Sequence, residues 1–218
     1  MSEEYAVIGL GRFGRAVAMG LARIGKTVLA VDTSRDLVQD CSDHVAAAVV
    51  ADATEESVLK ELQIDKFSCA VVAMGENSLE AAIMATALLQ QFGVPRIIAR
   101  AGTDLQARVL RAAGAHEVVN PDAEMGRHLA LRLSLPNIID VFSLGEDAVV
   151  AEMQIPQRFV DKSLIELDLR NRYDISVLAV RRGDRLITNP KSGEKLRNGD
   201  KFIIIGSTLA IQKTGNLV

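Results

Sequence analysis

Three glycines, Gly9, Gly11 and Gly14, stand at GxGxxG spacing in the run "AVIGLGRFGRAV". An apolar, strand-like stretch precedes them and a helix-like pattern follows. In that setting each glycine has its own duty. Gly9 permits a tight turn, Gly11 lets the backbone approach a phosphate, and Gly14 lets the helix pack closely on the strand. The next apolar run, "TVLAVD", closes on Asp32, a carboxylate placed to accept hydrogen bonds from ribose hydroxyls. Together these residues point to a bound adenosine nucleotide. A turn used for packing alone would leave Asp32 as no more than a polar strand end.

Arg12 lies inside the fingerprint, in the first turn of the expected helix, where the positive end of the helix dipole disfavours a cation. A phosphate, or an acidic residue across an interface, would offset that cost. The alternative is a side chain extended into water.

Further candidates come from strand ends, where open α/β sheets bind ligands. "ADAT" puts Asp52 and Ala53 near the adenine side of the crevice. "AMGEN" puts Met74 and Gly75 at its rim, with Glu76 and Asn77 just beyond, and "RIIAR" ends in Arg100. Met74 suits core packing equally well. Asp52 equally suits a helix cap ahead of "EESVLKEL", with Thr54 competing for that role. "NPDAEMG", residues 120–126, reads as helix initiation: Asn120 caps, Pro121 takes the first helical position, and Asp122 and Glu124 favour the positive end.

A dehydrogenase would add an acid or base at the nicotinamide and a substrate pocket. No nucleophile elbow, Ser/His/Asp set or Lys/His couple stands out. His44, His116 and His128 are scattered and suit surface or packing roles. Cys41 and Cys69 have neither disulfide-framework nor zinc-site spacing, and Cys69 in "SCAVVAM" reads as a buried strand residue.

The elements that would position these residues follow from hydrophobic periodicity. "YAVIG", "TVLAVD", "VAAAVVAD", "CAVVAM" and "RIIAR" are short apolar runs of the kind buried on both faces, and "HEVV" follows at 116–119. Helical stretches over 12–24, 34–41, 55–62, 78–92 and 104–113 alternate with them. The alternation predicts an α/β fold, a Rossmann-like doubly wound parallel sheet. After Pro121, "DAEMGRHLALRLS" predicts a helix and "LPNIIDVFS" a short helix or hinge. From about Glu146 the chain turns strand-rich, with "AVVAEMQI", "ISVLAV", "RLITNP" and "KFIIIGS" interrupted by a helix-like "SLIELDLRNRY". "RRGDR" and "RNGD" supply turn chemistry. The expected division is a nucleotide-binding domain at 1–134, then a crossover hinge and small α+β domain at 135–218.

Composition sets the outer limits. The 218 residues suffice for two small domains with real cores. Lys and Arg total 25 against 28 Asp and Glu, a net charge of -3, which argues against a nucleic-acid partner. Hydrophobic residues make up 49%, yet no apolar run approaches the ~20 residues of a membrane-spanning helix. The first strand is expected near Tyr5, with no signal or transit segment ahead of it. The chain therefore reads as soluble and cytoplasmic, tied to a membrane only through a partner.

"AVIGLGRFG", "VLAVD", "ADATEE", "VVAMG", "GAHEVVNPDAEMG" and "LDLRNRYDISVLAVRRGD" together resemble the regulatory subunits of Ktr/Trk-type bacterial potassium uptake systems. Such chains carry an N-terminal and a C-terminal RCK (regulator of potassium conductance) domain, and the similarity is nearer to the Ktr branch, with one such pair. The resemblance implies a non-enzymatic cytoplasmic gating ring, typically eight subunits built from homodimers, docked on a potassium-conducting membrane subunit. ATP would favour activation and ADP a less active state, while related proteins bind NAD or NADH. By position, Gly9, Gly11, Arg12, Phe13 and Gly14 would hold phosphates and Asp32 the ribose. Asp52, Ala53, Met74 and Gly75 would line the adenosine pocket, with Arg100 nearby.

The family pattern Pro-Glu-x-x-Met-Gly places a cation-holding Glu where this chain has Asp122, one methylene shorter, with Glu124 as a further contributor. Hard oxygen ligands there would suit Mg²⁺ or Ca²⁺. Some members bind cyclic di-AMP at the C-terminal domain, which would bring in Arg170, Asn189 and Pro190. The competing functions are an NAD(P)-dependent oxidoreductase with Asp32 selecting NAD, and an NADH-binding redox sensor acting on a non-channel partner.

Overall fold

The computed structural model describes residues 3–75, 78–145 and 147–217. Contacts divide the chain into two compact units, Met1–Ala123 and Glu124–Val218.

In the first unit six strands form one parallel sheet: β1 (Glu4–Ile8), β2 (Thr27–Asp32), β3 (Ala47–Val50), β4 (Cys69–Val72), β5 (Ile97–Arg100) and β6 (Glu117–Val119). Five helices connect them: α1 (Arg12–Arg23), α2 (Arg35–Ser42), α3 (Glu56–Glu61), α4 (Leu79–Gln91) and α5 (Asp104–Ala112). The strand order is β3-β2-β1-β4-β5-β6, so the winding reverses between β1 and β4. Alternate residues of each strand serve opposite faces. Val7, Val28 and Ala30 pack with Ala18 of α1 and with Val38 and Cys41 of α2. Ala6, Ile8, Leu29 and Val31 pack on the other face with Leu59, Ala85, Leu89 and Leu110. Cys69 is buried in β4, as its apolar neighbours predict. Strands covered on both faces need apolar residues at every position, and all four residues of β4 are buried.

Helix α6 (Pro121–Ser134) carries the chain from the first unit into the second. There β7 (Ile138–Ser143), β8 (Ala148–Gln154), β9 (Ile175–Arg182), β10 (Arg185–Thr188) and β11 (Lys201–Ser207) form an antiparallel sheet in the order β10-β9-β11-β8-β7. Short helices α7 (Leu164–Leu167) and α8 (Leu169–Tyr173) precede β9, and α9 (Thr208–Gly215) closes the unit. Met153, Phe159, Leu196, Phe202 and Ile204 are central to its core. At the start of β11 the carboxylate of Asp200, 2% exposed, accepts from Arg182 Nη2 at 2.8 Å and from the Arg197 N–H at 2.9 Å. Arg182 Nη1 also donates to Glu194 at 3.1 Å.

Two expectations need correction. "LPNIIDVFS" is not a helix or hinge but runs into β7, paired antiparallel with β8. Asn137, at φ 58°, turns the chain after Pro136, and Val141 then faces the core while Phe142 faces out. "SLIELDLRNRY" is two short helices, because Asp168 adopts a left-handed conformation at φ 44° between them. The closing helix α9, capped by Ser207 accepting from the Ala210 N–H, has no counterpart among the sequence expectations. Among the described residues, no helix is long and apolar enough to cross a membrane.

Candidate functional site

The β1–α1 turn is built by contacts that only glycine satisfies. Gly9 has φ +92°, and a Cβ there would meet the Met74 backbone N at 2.9 Å. A Cβ on Gly14 would fall 1.8 Å from the Gly9 carbonyl oxygen. Gly11 differs: a Cβ there meets nothing within 4 Å. It is the N-cap of α1 and has no side chain to occupy the free N–H groups of the first turn, which contains no acidic residue either. Open space beside unoccupied N–H groups at a positive helix end is what an anion needs.

Asp32 stands at the end of β2 and braces this turn. Its Oδ2 accepts from the Leu10 N–H at 2.6 Å and its Oδ1 from the Ser34 N–H at 2.8 Å. Each oxygen keeps a lone pair for a further donor. Asp52 is no helix cap. Its Oδ1 accepts from the Thr54 N–H at 2.9 Å and the Thr54 hydroxyl at 2.7 Å, while α3 starts beyond Glu55. The Thr54 backbone N–H, and then its hydroxyl, hold the Asp52 carboxyl below its ordinary range.

A cleft of about 610 Å³ opens over these groups. Gly9, Gly11, Asp32, Asp52, Ala53, Met74 and Gly75, all expected at a site, line it together. Met74 packs against the core and also borders the cleft. Glu76 and Asn77 lie outside the described residues. Also in the lining, and missed by sequence reasoning, are Thr33, Leu37, Ala51, Thr54, Ser78, Glu80, Ala81 and Met84. Thr33 and Ala51 directly follow strand ends and were recoverable on that ground. Glu80 and Met84, four apart, depended on which face of α4 turns to the crevice.

The cleft spans the reversal between β1 and β4. Its lining comes from the C-terminal ends of β1, β2, β3 and β4, the turns that follow them, Leu37 of α2 and the first turns of α4, with no residue of β5 or β6. On the β5 side the described residues Met74, Gly75, Leu79, Ala82, Arg100, Gly102 and Gln106 bound a cavity of about 10 Å³.

The remaining expected residues lie outside the cleft lining. Phe13 packs, partly buried, against the core beneath α1. Arg12 is exposed as the first residue of α1. Arg100 Nη2 donates to Asp122 Oδ2 at 2.9 Å, joining the end of β5 to the first turn of α6. Asn120 caps α6 as its type predicts, its Oδ1 accepting from the Ala123 N–H at 3.1 Å. Glu124 lies on the same helix, exposed. Among the described residues, no group of three or more His, Cys, Asp or Glu side chains assembles as a ready-made metal site.

Residues 5–121 match the TrkA-N domain and residues 150–218 the TrkA-C domain. The chain belongs to the TrkA-N/TrkA-C family. Ktr system potassium uptake protein C of Bacillus subtilis (strain 168) is 35% identical over 213 residues, 98% of this chain and 96% of the relative. Among solved structures, the GsuK RCK domain is 26% identical with a TM-score of 0.51, covering 100% of this chain and 47% of that one. The GsuK channel bound to NAD has a TM-score of 0.66 at 18% identity, a likeness of fold covering 39% of that chain. The family member described here thus spans less than half the length of those two solved chains. Its TrkA-N domain contains all of the parallel sheet but Glu4, together with the cleft; its TrkA-C domain contains most of the antiparallel sheet.

Proposed function

We propose that the chain is the nucleotide-sensing regulatory subunit of a potassium uptake system, binding ATP and ADP at the N-terminal unit and gating a membrane subunit that conducts potassium. The cleft over the β1–α1 turn, lined by Gly11 at the open helix start and by the Asp32 and Asp52 carboxylates, carries this proposal. In a doubly wound sheet the two halves of a dinucleotide lie on either side of the strand-order reversal. Here the cleft of about 610 Å³ covers the ends of β1, β2 and β3, reaches β4 and α4, and stops short of β5, beside which the described residues bound a cavity of about 10 Å³. A mononucleotide with a polyphosphate tail suits a cleft that stops short of β5.

In this reading the N–H groups at the start of α1 hold phosphates beside Gly11, and Asp32 takes the ribose. Asp52, Ala53, Met74 and Gly75 surround the adenosine. Arg12 reaches the terminal phosphate, in a homodimer across the subunit interface, and so separates ATP from ADP. A ligand shifts a conformational equilibrium only by its differential affinity for the two states, and the terminal phosphate supplies that difference. The nucleotide-binding domain is taken to run to residue 134, which makes α6 its last element. No residue is assigned a catalytic role.

A divalent cation fits on one condition. Mg²⁺ is commonly held by one or two carboxylates together with substrate phosphates. Asp122, 75% exposed, offers one hard carboxylate, with Glu124 on the same helix. Either would hold Mg²⁺ or Ca²⁺ with nucleotide phosphates completing the shell. In the C-terminal unit a cavity of about 340 Å³ includes Arg170 and Pro190 in its lining, which supports cyclic di-AMP as a second effector there; Asn189 is not in that lining.

The subunit would act in an octameric ring of homodimers at the inner face of the membrane. The test is rubidium flux in vesicles that hold the cognate membrane subunit. Addition of this chain with ATP should raise flux, and ADP should lower it. Flux indifferent to the nucleotide would contradict the proposal.

A further inference from the structure

The Arg100 guanidinium is only half used. Its Nη2 donates to Asp122 Oδ2 at 2.9 Å. Nε, on the same edge of the guanidinium, is buried and meets no partner among the described residues. Two N–H groups side by side are suited to grip two oxygens of one carboxylate or phosphate. Asp122 fills one of the two positions. A buried donor left unmet is destabilising, and an oxyanion that met both groups would relieve it. The competing ion pair is weak, since Asp122 is 75% exposed while the Arg100 side chain is 20% exposed.

The surroundings set the two partners in competition. The cavity beside Arg100, about 10 Å³, has room for roughly one water molecule. An oxyanion at that edge competes with Asp122 for Nη2. Met74 and Gly75 border both this cavity and the nucleotide cleft, so the edge lies next to where a phosphate tail would leave the cleft. β4 and β5 are neighbouring strands, about 4.8 Å apart, a gap that an arginine side chain spans.

We propose that Arg100 exchanges partners when a nucleoside polyphosphate binds: terminal phosphate oxygens take the Nε/Nη2 edge and Asp122 is released. This rests on the nucleotide reading of the cleft given above. It adds a consequence for the start of α6; farther along, that helix is held by Leu131, packed partly buried against the second core, and by His128 Nε2, 3.0 Å from Asp140 Oδ1. Asn120 Nδ2, donating to the Gly102 carbonyl at 3.1 Å, and Asp122 are two ties at the helix start. Phosphate occupancy removes one of them from the element that leads into the second unit, and frees the Asp122 carboxylate for a cation.

The test is calorimetric titration of the full chain with ATP in EDTA, in a mutant cycle. Asp122→Asn removes the competing charge and should tighten ATP binding at least threefold. Arg100→Met should weaken ATP about tenfold, and Asp122→Asn in that background should give no tightening. Amide exchange at residues 120–126 should speed up with ATP in the wild type and not in Arg100→Met. Equal tightening in both backgrounds would mean plain charge repulsion and overturn the exchange. So would unchanged or weaker binding by Asp122→Asn alone, a variant at an exposed position. A wild-type chain that binds no nucleotide would instead overturn the reading of the cleft itself.

Discussion

The Gly9 carbonyl oxygen and the Gly14 Cα are pressed together: a methyl group on Gly14 would sit 1.8 Å from that oxygen. The contact locks α1 onto the turn after β1. Gly14→Ala is therefore expected to destabilise the N-terminal unit by about 3 kcal/mol, at the upper end for overpacking. Gly11→Ala, with open space and φ -58°, should leave stability nearly unchanged yet block phosphate approach. Denaturant unfolding and ATP titration of the two variants check this. Equal stability loss in both would contradict it.

Asp32 is structural before it is a ribose ligand. It satisfies the N–H of Leu10, a fully buried residue, and that of Ser34. Asp32→Ala leaves a buried donor unmet and should lower stability by about 2 kcal/mol besides abolishing nucleotide binding. Asp32→Asn, which keeps one acceptor oxygen, should recover part of the stability and less of the binding. Urea midpoints of the three proteins decide it.

Arg12 is exposed. Arg12→Ala should shift stability by less than about 0.5 kcal/mol. It should also bring ATP and ADP affinities together by weakening ATP alone. A thermal melt paired with two titrations reads both effects.

The C-terminal unit has its own acid limit. Burial by itself would raise the Asp200 carboxyl, but hydrogen bonds from Arg182 and the Arg197 N–H outweigh it, so the group sits below its ordinary value. Its unfolded value is about 3.9. A group lowered in the folded state contributes fully above that pH, and its contribution is lost as pH falls through the lowered value. Asp200→Asn should remove this acid-dependent stability and cost about 2 kcal/mol at neutral pH, since Arg182 loses its charged partner. Stability curves from pH 2 to 7 for both proteins would show the difference.

How legible each part was depended on whether local or distant contacts decide it. The strands of the parallel sheet are apolar throughout, and glycine marks the turn that matters, so β1, α1 and Asp32 were readable from residue type and spacing. β7 was not. Ile138 and Ile139 are adjacent apolar residues after a proline, which fits helix or strand, and only pairing with β8 makes them a strand. The break at Asp168 is a single left-handed residue inside a helix-like pattern. At the site, the carboxylate positions followed from strand ends. The Arg100–Asp122 pair did not, because it joins residues 22 apart through the β5–β6 pairing.

The central claim is that the cleft takes an adenine mononucleotide polyphosphate. Equilibrium titration of the full chain with ATP, ADP, NAD⁺ and NADH, with and without Mg²⁺, tests it most directly. The expected result is ATP and ADP binding at least tenfold tighter than either dinucleotide, with ATP the more dependent on Mg²⁺. Tighter binding of NAD⁺ or NADH than of ATP would contradict it.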